Sequence, residues 1–292
     1  FHINKWDNGE FKGDAISTTS ELVKISSDGN LGLEEGQKFE RGGIYRFTVD
    51  VTKGNTKAVL TVEKVGKVDL PAPDIFFGND KMEVTDTDIY KSDQAFTQGQ
   101  MITVTGIDNL NEWWIDPDFF EKQSDGALKF LPINGDYRVT ANAVLKYFSV
   151  MALKDGKPAK LQDDGTGAIW AIGKGIGKPS VTSSEVGWEP SKALCLAQVA
   201  SKKYQLTLKA GETLKTSGDP EVISFKFFHQ NDWGGEFGNY ASSILVEQLK
   251  LADSGNLEMQ DNKAFEEGAV YRFIIDVTNG NANADLKVEK IN

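Results

Sequence analysis

The chain has 292 residues, of which 39% are hydrophobic and 10% aromatic, which is enough apolar surface for compact cores and unlike a disordered chain. Acidic residues outnumber basic ones 43 to 32, and no basic stripe is present that could neutralise a phosphate backbone. This charge pattern argues against nucleic acid as a partner. No apolar run approaches the roughly 20 residues that span a bilayer, so no transmembrane segment is expected.

The strongest sequence signal is an internal duplication. Residues 11–64 align without gaps with residues 237–290, at a constant shift of 226 positions, and 24 of the 54 pairs are identical. Unrelated sequence separates the copies, so we predict separate modules on one chain rather than a solenoid. Duplication favours binding over catalysis, because a second weak site raises avidity, whereas a catalytic centre is needed only once.

Alternating apolar residues predict β-structure along the whole chain. In each copy of the repeat, a half-buried strand is expected at 45–51 and at 271–277. A second strand follows each, after turns at Gly54-Asn55 and Asn279-Gly280, which favour hairpins because these residues tolerate positive φ. Between the copies, strand candidates at 101–106, 137–142 and 145–153 are spaced as in a small antiparallel sandwich.

Two breaks divide the chain into modules. Pro71 and Pro73 predict a stiff linker after the first copy, and a polar, glycine-rich stretch at 154–167 predicts a second boundary. Strand-like sequence precedes the C-terminal copy at 168–170, 203–208 and 222–228, and it has no counterpart before the first copy. We therefore expect the first module to be a sheet that lacks its opening strands.

The C-terminal copy and its flanks resemble a known family. Phe1-His2 and Trp6 in the first copy correspond to Phe228-His229 and Trp233 in the second, and the chain has no other histidines. The resemblance is carried by aromatic and glycine positions, namely Ile169-Trp170-Ala171-Ile172-Gly173, Gly187-Trp188, Phe225-Lys226-Phe227-Phe228-His229-Gln230 and Trp233-Gly234-Gly235-Glu236-Phe237. They resemble the glycan-binding modules of bacterial surface lipoproteins related to the starch-utilisation proteins SusE and SusF. The segment from 102–106 to 134–139 is similar to the immunoglobulin-like spacers of such proteins.

This resemblance implies an all-β architecture of tandem antiparallel β-sandwiches. We predict a truncated carbohydrate-binding-like module at 1–67, an immunoglobulin-like sandwich at 68–158 and a complete carbohydrate-binding-like module at 159–292. The resemblance further implies non-catalytic binding of a polysaccharide or oligosaccharide at the bacterial cell surface. It also implies outer-membrane attachment through a lipidated segment upstream of this chain, and outer-membrane transport proteins as further partners.

The best candidate ligand residue is Trp188, since a sugar ring has an apolar face that packs on a flat, rigid indole. Gly187 and Pro190 place it in a loop, beside the polar Glu189 and Lys192. A Trp that closes the end of the core is the competing interpretation, and both stay open.

A second candidate loop contains Trp233 together with Asn231, in a stretch rich in amides and carboxylates that could accept hydrogen bonds from hydroxyls. For this loop we favour a structural interpretation, in which His229 and Glu236 hydrogen-bond each other under the Trp. The glycine-rich run 173–178 lacks the context of a phosphate-binding loop, because Lys178 is followed by Pro179. It predicts a flexible loop in which Lys178 offers donors to a sugar.

Other polar positions have ordinary structural interpretations. Asp116 before Pro117 predicts a helix N-cap, and only secondarily a member of a carboxylate cluster. Of the adjacent Trp113 and Trp114, at most one can enter the core, and the other is exposed or packs on a neighbouring domain. Cys195 lies in an apolar stretch that predicts a buried, inert thiol.

Catalysis is disfavoured by the distribution of acidic residues. A glycosidase needs two carboxyl groups across one cleft, and the candidate acids are Glu10, Glu236, Asp116 and Glu121. The recurring Glu10 and Glu236 fall in different modules, so they do not face each other across one cleft. No cofactor motif and no metal-ligand set is recognised, although acidic loops leave calcium open. The alternative to glycan binding is a structural or adhesive surface protein that holds a protein partner through an edge or an apolar patch.

Overall fold

A computed structural model describes residue 11 and residues 13–35, 37–40, 42–68, 72–216 and 222–292. The described residues are almost entirely β, in several mainly antiparallel sheets, which confirms the predicted all-β class. They divide into two compact units, one ending at Ala72 and one from Pro73 to Asn292. No helix in the described ranges has the length and hydropathy of a membrane span.

The first unit contains two small sheets. Its strands are β1 (Ile16–Thr18), β2 (Val23–Ile25), β3 (Leu31–Leu33), β4 (Gly43–Asp50) and β5 (Ala58–Lys67). One sheet has the order β1-β5-β4, in which β1 runs parallel to β5, and the other is the antiparallel pair β2-β3. The small core is formed by Phe11, Ile16, Val23, Ala58 and Leu60.

The second unit begins with a sandwich built by residues 75–158. Its strands are β6 (Phe76–Phe77), β7 (Asp80–Lys81), β8 (Glu83–Asp86), β9 (Ile89–Phe96), β10 (Met101–Ile102), β11 (Val104–Thr105), β12 (Phe120–Lys122), β13 (Leu128–Phe130), β14 (Gly135–Asn142), β15 (Tyr147–Lys154) and β16 (Lys157–Pro158), with a 3-10 turn at Leu110–Glu112. The largest sheet has the order β16-β15-β14-β9-β8. The three strand candidates of this segment are confirmed, at β10–β11, β14 and β15. Aromatic rings fill its core, among them Phe77, Phe96, Phe120, Phe130 and Phe148.

The rest of the second unit is a sandwich of two larger sheets. Its elements are β17 (Trp170–Gly177), α1 (Val181–Ser184), β18 (Glu185–Gly187), a 3-10 turn at Pro190–Lys192, β19 (Leu194–Cys195), β20 (Ala197–Ala200), β21 (Lys203–Lys209), β22 (Ser224–Phe228), β23 (Ser242–Ile244), β24 (Leu249–Leu251), β25 (Leu257–Met259), β26 (Val270–Asp276), a 3-10 turn at Asn281–Asn283 and β27 (Asp285–Lys290). One sheet has the order β18-β17-β22-β25-β24, and the other has the order β20-β21-β26-β27-β23.

The sequence repeat is also a repeat of strands and pairings. Strands β1 to β5 of the first unit correspond to β23 to β27, including a parallel pair in each copy, β1 with β5 and β23 with β27. The hairpin registers repeat with the same 226-residue shift, since Tyr45 pairs with Lys64 and Tyr271 with Lys290. The predicted hairpins of both copies are therefore confirmed.

The two copies differ in what covers their apolar faces. In the second copy β26 pairs with β21 and β25 pairs with β22, whereas the described residues of the first unit supply no strand at the equivalent edges of β4 and β3. Phe47 is consequently 41% exposed, although its counterpart Phe273 is 0% exposed. Leu31 is 39% exposed and its counterpart Leu257 is 0% exposed. We call this uncovered surface of β3 and β4 the open face.

The two sandwiches of the second unit share one hydrophobic core, which extends from Ile75 to Val288. Trp113 lies in that core and stacks on Phe148 with ring centroids 4.6 Å apart. Trp114 is half-buried, and its indole Nε1–H donates to Glu212 Oε1 of the other sandwich at 2.9 Å. Only one of the adjacent tryptophans enters the core, as predicted, and the other packs on the neighbouring sandwich.

Candidate functional site

Trp188 lies in the loop between β18 and the 3-10 turn that begins at Pro190. Gly187 adopts a positive φ of 58°, which turns the chain directly before the indole. The side chain is 36% exposed, so Trp188 does not close the core. On the polar side, Lys192 Nζ and Glu189 form an ion pair at 3.0 Å that is open to solvent.

Trp233 lies in the loop that follows β22, and it is 52% exposed. The loop is held by its own hydrogen bonds, because Gln230 Nε2 donates to the carbonyl of Trp233 at 2.7 Å and the N–H of Trp233 donates to Asp232 Oδ1 at 2.8 Å. The edge of the ring also contacts the buried Phe228, with centroids 6.1 Å apart. The indole is therefore positioned from below while its outer surface stays open.

The fold brings these two indoles together, although they are 45 residues apart in the sequence. Their ring centroids are 6.3 Å apart and their planes differ by 26°. We call these two neighbouring, nearly parallel rings the indole pair. Because both rings are anchored by loops of the same sandwich, the pair exists before any ligand arrives.

Polar residues flank both indoles in the sequence. Asn231 is half-buried next to Trp233, and its amide makes no hydrogen bond among the described residues, so its donors and acceptor are available. Glu189 and Lys192 carry opposite charges beside Trp188. Four of the five predicted ligand residues lie in these two loops. Trp188 and Trp233 are neighbours in space, and Glu189 and Asn231 lie close to them in the sequence.

His229 does not have the role that the sequence suggested. Its Nε2 atom is buried without a hydrogen-bond partner in the described structure, and its ring lies edge-on to Phe237 with centroids 4.3 Å apart. The expected hydrogen bond with Glu236 is not formed, because the loop turns through Gly234 and Gly235 and the histidine packs on an aromatic ring instead. Burial lowers the pKa of His229, so the neutral imidazole is favoured.

The structure separates Lys178 from the indole pair. Its Nζ donates to both carboxylate oxygens of Asp116 at 2.8 Å and to Asp118 Oδ2 at 3.0 Å, and all three side chains are buried. Burial opposes the charged ammonium, but the two carboxylates raise the pKa of Lys178. Asp118 accepts further hydrogen bonds from Gln205 and Thr207. Lys178 is therefore a structural cation rather than a free donor at the indole surface.

Two further expectations about this region are wrong. The run 173–177 is part of the central strand β17 and not a flexible loop, because its glycines let neighbouring backbones approach closely. A Cβ at residue 173 would lie 2.4 Å from the Cα of Phe225. Asp116 caps a single turn, through the N–H of Asp118 at 3.0 Å, and does not start a helix.

The remaining polar candidates add no second site near the indole pair. Cys195 is buried, as predicted, and burial raises the pKa of its thiol to about 12. The part of the chain that the structure describes contains no group of three or more side chains that could hold a metal ion. The counterparts of this loop in the first copy, Trp6 and Glu10, lie outside the described residues.

Sequence reasoning found both indoles but missed what supports them. Phe228 contacts the Trp233 ring, and its place in the alternating pattern of β22 predicts only that it is apolar. The sequence predicts Lys192 only as a polar neighbour of Trp188, whereas in the structure it forms an ion pair with Glu189. The i, i+3 spacing of Glu189 and Lys192 around Pro190 is the local signal that could have revealed the pair.

Two family models match the chain. One, described as a domain of unknown function (DUF5121), matches residues 1–52 and 164–278. The shorter stretch includes most of the first copy, and the longer one contains both indoles and extends into the second copy. The other, described as a domain of unknown function (DUF5125), matches residues 56–161. A comparison with curated proteins found no match. The DUF5121 stretches together cover more than half of the chain.

Proposed function

The chain belongs to the DUF5121 family, and we propose that it binds a polysaccharide or oligosaccharide, without catalysis, through the indole pair of Trp188 and Trp233. The single observation that carries this proposal is two neighbouring, nearly parallel indoles that stay exposed although every other described Trp is buried or half-buried. Exposed aromatic surface is costly in water and is expected where a ligand covers it.

The chemistry of the site suits a sugar better than a charged or purely apolar ligand. A pyranose ring has a face of C–H groups that packs on an indole and a rim of hydroxyls that needs donors and acceptors. Asn231 offers both, and Glu189 with Lys192 offers an acceptor and a donor whose charges cancel. A neutral saccharide therefore finds partners for its face and its rim at the same surface.

The proposed setting is the bacterial cell surface. The support for it is the resemblance of 225–237 and its flanks to glycan-binding modules of outer-membrane lipoproteins. In that setting the protein is held by a lipidated segment upstream of this chain, and it hands captured glycan to outer-membrane transport proteins.

Affinity gel electrophoresis against a panel of neutral polysaccharides tests the proposal. We expect the wild type to be retarded by at least one of them, and Trp188→Ala to lose most of that retardation. Val84→Ala, another exposed apolar side chain on β8, is the matched control and should migrate like the wild type. Retention that is unchanged in both Trp188→Ala and Trp233→Ala would contradict the proposal.

A second candidate function is the binding of an extended protein segment, and the open face of the first unit favours it. In the C-terminal copy Phe273, the counterpart of Phe47, packs on Phe225 and Phe227 of β22 with ring centroids 5.5 and 6.4 Å apart, and β21 pairs with the edge of β26. Covering the exposed two fifths of Phe47 or Leu31 stabilises a complex by roughly 0.6–1.2 kcal/mol. The free edge of β4 offers backbone groups to which such a segment can add as a further strand.

Fluorescence anisotropy with a labelled peptide of sequence Lys203–Lys209 tests this second function, because that strand pairs with β26 in the other copy. We expect saturable binding that Phe47→Lys weakens, since the charge would then lie opposite Leu206 of the peptide, which pairs with Phe273 in the other copy. A scrambled peptide is the control. Equal binding of both peptides, or none of the native one, would rule against strand addition.

A further inference from the structure

A cleft of about 620 Å³ lies between the two sandwiches of the second unit, and we call it the junction cleft. One wall is formed by β14, β15 and Trp114, and the other by residues 181–185 and 191–195. Its volume is within the range of about 300–1,000 Å³ found for small-molecule sites, which occur preferentially at such domain junctions. Neither indole of the pair lines it.

The inner part of the cleft is aromatic and fixed in place. Trp114 is half-buried, and its indole is held by the hydrogen bond to Glu212 across the junction. Tyr147 lies along the same wall, and burial raises the pKa of its phenol, so it remains a neutral hydrogen-bonding group. Together with Leu145 these rings provide an apolar wall on which a flat or ring-shaped ligand can pack.

The mouth of the cleft carries uncharged polar groups. Asn142 uses its Oδ1 atom to accept from the N–H groups of Val144 and Leu145, at 3.1 and 2.9 Å, which leaves its two amide N–H donors for a ligand. Ser149 and Thr182 are exposed on the two opposing walls. An acyl chain or another purely apolar occupant would leave these groups without partners, which opposes its binding.

The pairing of the charges in the cleft selects against anions. Lys178 and Asp116 line it, and Asp118 completes their cluster. Each charged side chain of the lining is already paired, Lys178 with Asp116 and Asp118, Glu185 with Lys215, and Lys192 with Glu189. A carboxylate or phosphate ligand would therefore lose its hydration without gaining an unpaired cation, whereas a neutral ligand avoids that cost.

We propose that the junction cleft is a second saccharide site, separate from the indole pair, which takes one or two neutral sugar residues and rejects sugar acids. The inference rests on the proposed function, in that it takes the ligand class to be carbohydrate. The sugar face packs on Trp114 and Tyr147, and its hydroxyls meet Asn142, Ser149 and Thr182. Two sites of one molecule then hold different parts of a glycan and raise its avidity.

The experiment is a titration of the whole chain with neutral disaccharides of glucose, galactose, mannose and xylose. Binding is measured by calorimetry and by the NMR signal of the Trp114 indole N–H. The Trp188→Ala/Trp233→Ala double variant removes the indole pair. Added to the double variant, Ser149→Phe and Thr182→Phe fill the cleft from opposite walls, and Thr105→Phe on β11 in the same background is the matched control, since all three positions are exposed. A digalacturonate is the anionic comparison.

We expect the double variant to bind a disaccharide and the Trp114 signal to shift. Either cleft-filling substitution should lower the affinity for the disaccharide at least tenfold, whereas Thr105→Phe should have no effect. Digalacturonate should not bind. Disaccharide binding that disappears in the double variant, or that persists in both cleft-filling variants, contradicts a saccharide site in the junction cleft. Neither result contradicts glycan binding by the indole pair. If the wild type is retained by a polysaccharide but binds no disaccharide, the junction cleft is again overturned. If the wild type is retained by none, the proposed function falls as well.

Discussion

The two indoles of the pair are held in different ways, which predicts different tolerances to substitution. Trp233 is backed by the buried Phe228, whereas Trp188 sits between a glycine and a 3-10 turn. We expect Trp233→Phe to keep part of the stacking surface and Trp233→Ala to lose about 0.5–1.5 kcal/mol of glycan binding, up to about tenfold in affinity. Calorimetry with the retained glycan measures both. Equal affinities for the Phe and Ala variants would show that ring stacking does not contribute.

At Lys178 the prediction concerns stability rather than binding. Trp114 and the two carboxylates surround the ammonium, so Lys178→Met leaves buried charge uncompensated and is expected to lower the free energy of unfolding by about 3–5 kcal/mol. Lys192→Met removes an exposed partner of Glu189 and should cost only about 0–1 kcal/mol. Denaturant unfolding followed by fluorescence compares them. Similar losses for the two variants would contradict the structural role of Lys178.

His229 predicts a specific dependence of stability on pH. Its pKa is lowered in the folded state by burial, so the unfolded chain binds the proton more readily. The contribution of this residue to stability is complete above about pH 6.5, the ordinary His value, and is lost as the pH falls towards the lowered pKa. We expect wild type to lose more stability than His229→Phe between pH 7 and pH 5.5. His2 remains in both proteins, so an identical loss would refute the assignment to His229.

At the scale of secondary structure, close backbone contact explains the glycines of β17. Gly173→Ala would place a Cβ 2.4 Å from the backbone of Ser224 and Phe225, whereas Gly156→Ala meets nothing within 4 Å. Gly173 also has a φ of 141°, which only glycine adopts readily, whereas Gly156 has a φ of 72°, so backbone strain adds to the contact. We expect Gly173→Ala to cost about 1–3 kcal/mol more than Gly156→Ala in denaturant unfolding. A difference near zero would mean that β22 moves away without loss.

The elements that could be predicted from sequence are those with local signals. Alternation marked the strand pairs of both repeats, and Gly54 and Asn279-Gly280 marked their turns, because pattern and turn residues lie within a few positions of each other. The loop predicted for residues 173–177 was wrong because the relevant partner is distant in the sequence. The glycines there suggest a loop, and only Phe225, about 50 residues later, shows that they permit strand pairing.

The candidate site was predictable only in part for the same physical reason. Gly187 and Pro190 identified a loop for Trp188 and the polar neighbours identified one for Trp233, but no local pattern shows that two loops of one sandwich meet. The partners of Lys178 are 60 and 62 residues away in the preceding sandwich, so its burial could not be read from its glycine-rich surroundings.

At the scale of the whole molecule, the duplicated module is the main feature that connects sequence, fold and proposed function. Both copies keep the same strand pairings, yet only the second buries its apolar face within the described residues. The first unit and the second unit therefore offer different surfaces, an open face and an indole pair. Glycan binding is the proposed role of the indole pair.

The indole N–H signals in a ¹H–¹⁵N NMR spectrum test that assignment most directly, since each Trp gives its own reporter and Trp→Phe variants assign them. On titration with the polysaccharide that retains the protein, we predict that the signals of Trp188 and Trp233 shift together and saturate. Those of the buried Trp113 and Trp170 should stay in place. Retention of the glycan with no shift at either Trp188 or Trp233 would contradict the account.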